Sequence, residues 1–181
     1  MPTAEPIFFY DLGRPECYLA AERIMAALPI MPAWEPVLGA EFEPEPLDRE
    51  SVRRRAAELG LLALRWPALW PPDTLTAMLT ATYAKQIGRA VAFSLAAFRQ
   101  AFAGGRDLGD EDTVLIAAAA AEMHPLAVRK GIQTRSVREA LAAATVGARA
   151  AGINVLPAIQ LGPLAFSGAS AVEQAAAALA H

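Results

Sequence analysis

The sequence predicts an α/β domain carrying an inserted all-helical segment, and three observations support this. An apolar run, Ile7 to Leu12, meets a Gly13-Arg14-Pro15 turn and opens into a helical pattern. Alanine crowds Ala117 to Ala121, Ala142 to Ala144 and Ala175 to Ala178, and because alanine is the strongest helix former the chain is expected to be mainly helical. Near the end, INVLPAIQLGPLAF reads as two short strands joined by Gly162 and Pro163.

Taken in order, Ile7 to Leu12 is a buried strand built on Phe8, Phe9 and Tyr10. Pro15 suits the first turn of the helix that follows, whose rhythm runs through Tyr18, Leu19, Glu22, Ile24, Met25 and Leu28. Such a helix start favours a bound anion or thiolate, which places Arg14, Glu16 and Cys17 where chemistry can occur. Met31 to Leu38 is a second strand in which Pro32 and Pro36 are confined to an edge, an end or a bulge. If the two strands are parallel, the crossover is right-handed.

The acidic, proline-rich stretch GAEFEPEP is a connector, and Asp48 is the N-cap of a helix reaching about Leu59 and ended by Gly60. The prolines of LRWPALWPP exclude regular helix, so Trp66 and Trp70 ride on an extended path and either pack it onto neighbouring helices or line a pocket. Asp73 caps a long helical region with Leu75, Met78, Leu79, Thr82 and Tyr83 on one face, resumed by Ala90 to Phe102 after Gly88. The spacing of RDLGDEDTV does not supply the loop glycine and distal glutamate of an EF-hand, and its acids read as a helix cap before Val114. His124, just before Pro125, is expected at a helix C-terminus, and as a lone histidine it does not build a metal site. Ser136 with Glu139, and Ser170 with Glu173, have the spacing of capping boxes for the last two helices. The main domain then comprises residues 1–47 and 131–181, with residues 48–130 inserted as helices.

Composition narrows the function. The chain has 181 residues, 55% of them hydrophobic, enough for one domain with a sizeable core. A net charge of −3 and the absence of a basic stripe interleaved with aromatics exclude a nucleic-acid surface. The single cysteine excludes an intramolecular disulfide, and the N-terminus lacks the pattern of a signal peptide, so a cytoplasmic location is expected. The alanine-rich runs are interrupted by charged and polar residues too often to span a membrane.

The stretches FFYDLGRPECYLAAERI, LRWPALWPPDT, AFRQAFAGGRDLGDEDTVLIAAAA and NVLPAIQLGPLAFSG, in this order and spacing, resemble the DsbA-like thioredoxin superfamily. The resemblance is to its branch of 2-hydroxychromene-2-carboxylate isomerases and kappa-class glutathione transferases. It implies a thioredoxin-like fold and a glutathione-dependent isomerase or transferase acting on a small aromatic or apolar molecule, with homodimers common. It also implies that Arg14 stands where a serine or cysteine activates the sulfur, and that Cys17 matches the second position of a C-x-x-C motif. Arginine cannot serve as nucleophile or redox thiol, although its planar donors can hold a thiolate or carboxylate.

By the same resemblance, Leu156-Pro157 is a cis bond beside the ligand, Ser170 sits where a ligand carboxylate binds, and Tyr10, Trp66, Trp70 and Tyr83 line the substrate pocket. Two other functions stay open. One is a non-catalytic binding or regulatory protein on the same fold, and the other is a redox protein acting through mixed disulfides at Cys17.

Overall fold

Among the described residues, four short strands form one sheet in the order β2-β1-β3-β4, from β1 (Ile7–Tyr10), β2 (Ala33–Pro36), β3 (Ala158–Leu161) and β4 (Leu164–Ser167). The computed structural model describes residues 5–44 and 46–180. β1 runs parallel to β2, with Ile7 opposite Ala33 and Tyr10 opposite Pro36. It runs antiparallel to β3, which pairs with β4 through the expected hairpin. Gly162, at φ 56°, supplies the left-handed backbone of that turn. β2 is an edge strand shorter than the predicted run, with Pro36 at its last position, where a missing N–H costs no ladder bond.

The helices are α1 (Pro15–Ala27), α2 (Arg49–Glu58), α3 (Leu75–Gln86), α4 (Ala90–Phe102), α5 (Glu111–Ala120), α6 (Pro125–Gly131), α7 (Arg135–Ala150) and α8 (Ala171–Leu179). α8 packs on α1, β3 and β4, whereas α3 and α7 pack on each other and on β2. The inserted helices share their core with the sheet. Phe8 stacks on Tyr10 with ring centres 5.2 Å apart, Tyr10 meets Phe98 of α4 at 6.0 Å, and Tyr18 of α1 stacks on Phe102 at 5.4 Å. Trp66 and Trp70 both stand edge-on to Phe102, so one aromatic chain links the sheet to the proline-rich segment.

Several helix ends differ from expectation for local reasons. Asp48 caps α2 as expected, accepting from the Glu50 and Ser51 amides, and Asp110 caps α5. His124 does not end α5. It is the N-cap of α6, its Nδ1 accepting from the Leu126 N–H at 3.2 Å, because Pro125 cannot continue one helix but can begin the next. α7 is capped by Thr134 rather than Ser136, and Glu139 instead takes a hydrogen bond from Arg135. Ser170 precedes α8 without capping it: its hydroxyl accepts from Gln174, while Glu173 pairs with Arg23.

Candidate functional site

Three chain segments meet where β1 and β2 end and α1 begins, and Asp11 joins them. One carboxylate oxygen accepts from the Gly13 N–H at 2.7 Å, closing the turn into α1. The other accepts from the Gly39 N–H at 2.7 Å and from the Thr74 hydroxyl at 3.1 Å. Both glycines are required by closeness: a Cβ on Gly39 would lie 2.8 Å from the Asp11 carboxyl carbon, and one on Gly13 would lie 2.6 Å from the Thr74 methyl. Asp11 is only 3% exposed. Burial pushes its carboxyl above the usual range, opposed by the hydrogen bonds from Gly13, Gly39 and Thr74 and by the nearby Arg14 charge. The sequence reading missed Asp11; the local signal was an acid two residues before a glycine at the end of a strand.

Arg14 occupies the N-cap position of α1 with extended backbone, but its side chain does not cap the helix. Its guanidinium donates to three carbonyl oxygens of the connector: Glu43 at 2.8 Å, Gly39 at 2.6 Å and Phe42 at 3.1 Å. Glu43 is tied in turn to the segment before β3, its N–H donating to the Asn154 carbonyl at 2.8 Å. The connector is thus strapped over the start of α1. Arg14→Ala is expected to lower stability by about 1.5–3 kcal/mol, the range for hydrogen bonds from charged groups. Its connector should also become the first site cut in limited proteolysis; an unchanged urea midpoint and cleavage pattern would refute the clasp. Of the connector acids, Glu45 lies outside the described residues.

Beneath the strap lies a cavity of about 580 Å³. Pro15 and Glu16 of α1, Pro44 of the connector with Leu38 and Leu47 at its two ends, and Leu156 form part of its wall. The other side is Trp70, Pro71, Pro72 and the start of α3, where Asp73, Thr74 and Leu75 contribute. Leu156-Pro157 is cis, as the resemblance implied, and a second cis bond, Trp70-Pro71, was not foreseen.

Of the residues singled out from the sequence, Arg14, Leu156 and Trp70 line this cavity, and Pro157 is buried behind Leu156. The other three aromatics expected in the pocket lie elsewhere. Tyr10 is fully buried, its hydroxyl 2.6 Å from Ser94 Oγ, because α4 covers that face of the sheet. Trp66 packs edge-on to Trp70 with the Arg49 guanidinium 4.8 Å over its ring, and Tyr83 lies against Gly131. Ser170 belongs to a separate cavity with Arg23 and Arg55. Cys17 is fully buried, and burial pushes its thiol far above the ordinary range, the opposite of what a reactive thiol needs. Among the described residues no group of three His, Cys, Asp or Glu side chains is placed to hold a metal ion, and no helix is long and apolar enough to cross a membrane.

No curated protein matches the sequence. Among solved structures, a 2-hydroxychromene-2-carboxylate isomerase superposes with a TM-score of 0.84 at 16% identity, over 97% of this chain and 94% of that one. A probable DsbA oxidoreductase from Streptomyces coelicolor gives 0.78 at 21% identity, over 97% and 88%. A putative protein disulfide isomerase from Nitrosomonas europaea gives 0.64 at 15%, over 94% and 95%. At these identities the likeness is one of fold. Residues 7–180 match the DSBA-like thioredoxin domain, and the chain belongs to that family.

Proposed function

We propose that the chain binds a small, largely apolar or aromatic molecule in the cavity at the start of α1, and that it does so without a thiol. The observation that carries this reading is the placement of Arg14 and Cys17. The residue at the nucleophile position is clasped to three connector carbonyls, and the chain's one thiol is sealed in the core, while an apolar cavity stays open between Arg14 and Trp70. Prolines and a tryptophan offer flat, rigid faces to an aromatic ring at little entropic cost.

Glutathione, the cofactor the resemblance implies, does not fit the residues present. Its sulfur would meet no hydroxyl or thiol at position 14, and its two carboxylates would enter a cavity lined by Asp11, Glu16 and Asp73 with Arg14 already hydrogen-bonded to the connector. Ser170, the counterpart of the carboxylate site, lines a different cavity. A second reading, isomerisation of the bound aromatic molecule, is favoured by the Thr74 hydroxyl and Asp11 carboxyl at the cavity wall, a pair able to carry a proton.

Titration calorimetry and thermal melting with naphthylmethanol test the binding reading. Saturable heat and a raised melting temperature are expected, weakened about tenfold in Trp70→Ala through loss of its ring contact. Millimolar glutathione should leave the melting temperature unmoved. A shift with glutathione and none with naphthylmethanol would return the chain to glutathione-dependent isomerase or transferase chemistry.

A further inference from the structure

We infer that the cavity sorts its ligands by charge, taking neutral and preferentially amine-bearing aromatic molecules and disfavouring aromatic carboxylates. The inference rests on the binding reading above and deepens it. Among the described residues, four charged ones line the cavity: Asp11, Arg14, Glu16 and Asp73. Arg14 is the one cation among these four; its Nη1 donates to the Glu43 carbonyl and its Nη2, which either planar fork must use, donates to those of Gly39 and Phe42. A carboxylate entering the cavity therefore finds no uncommitted fork to grip.

The acids are not equivalent. Glu16 is neutralised by Arg55, with which it forms an ion pair. Asp11 is enclosed and hydrogen-bonded to Gly13, Gly39 and Thr74. Asp73 is exposed, and its one recorded bond is from the Leu75 N–H at 3.0 Å. An ionised carboxylate has about four lone-pair sites, so acceptor capacity remains at Asp73 for an ammonium.

The start of α1 would ordinarily attract an anion, but here that attraction is met from within. Pro15 removes one N–H, and Glu16 places a carboxylate in the first turn. What is left is an apolar enclosure with one acid at its edge whose charge no arginine or lysine cancels among the described ion pairs. An aromatic ring would lie in the enclosure and an amine at Asp73.

Three probes of similar shape separate charge from shape: naphthylmethylamine, naphthylmethanol and naphthoate, titrated by calorimetry into the full chain. The amine should bind about three- to tenfold more tightly than naphthoate, the sum of one exposed attraction and one exposed repulsion. Asp73 does not cap α3 as the sequence suggested, since Thr74 holds the N-cap position, and Asp73→Asn keeps a side-chain oxygen to accept from the Leu75 N–H. The variant should narrow the gap to about twofold or less, as should salt near 1 M. Naphthoate binding as tightly as the amine overturns the charge inference while leaving the binding reading intact, as does a gap that Asp73→Asn does not change. Failure of all three probes to bind overturns both.

Discussion

Replacing Asp11 by alanine should lower folding stability by about 2–4 kcal/mol, because the Gly13 and Gly39 amides lose their acceptor in a buried setting. The same substitution frees the turn, the connector and the start of α3 from one another, so naphthylmethanol binding should fall with it. Urea unfolding measures the first effect and calorimetry the second. A stability loss below about 0.5 kcal/mol would mean that water replaces the carboxylate at no cost, and the description of Asp11 as a hub would fail.

Asp11→Asn separates charge from shape. Burial raises the folded-state pKa of Asp11 above its unfolded value, so the carboxyl contributes stability fully below the unfolded pKa of about 3.9. That contribution is lost as pH rises through the raised folded value. Wild type minus Asp11→Asn stability should therefore be greatest in acid and decline with rising pH. A difference that grows with pH would show that the two amides and Thr74 outweigh burial and hold the carboxylate ionised.

Cys17 should react with a soluble disulfide reagent at mildly alkaline pH at least about a thousandfold more slowly in the native protein than in urea. With the sulfur enclosed, labelling waits on opening, and an opening free energy of several kcal/mol suppresses it by that factor. Prompt labelling of the folded chain would overturn the buried placement and revive mixed-disulfide chemistry. Cys17→Ala should leave naphthylmethanol affinity unchanged, since Cys17 does not line the cavity.

The parts legible in the sequence were those punctuated locally. Gly13 and Pro15 marked the strand-to-helix turn, Gly162 and Pro163 marked the hairpin, and Asp48 marked the start of α2. The cis bond at Pro157 came from resemblance, because nothing in its neighbours distinguishes it from other prolines. Asp11 was illegible because its second and third partners, Gly39 and Thr74, lie 28 and 63 residues away. Tyr10 was misplaced for a related reason. Alternation along a strand says which side chains share a face, but α4, which supplies Ser94 from 84 residues away, decides which face is covered. At α7, Thr134 and Ser136 are both competent caps; the Thr134 hydroxyl also bonds the last carbonyl of α6, at Gly131, and it is the one that caps.

The Arg14 clasp also governs what a serine at position 14 would cost. A serine at that position offers a hydroxyl at the helix start but leaves the carbonyls of Gly39, Phe42 and Glu43 without their donor, so the connector loses its anchor. The two requirements are epistatic. A serine variant that keeps the connector in place therefore needs a second substitution that supplies new donors to those three carbonyls.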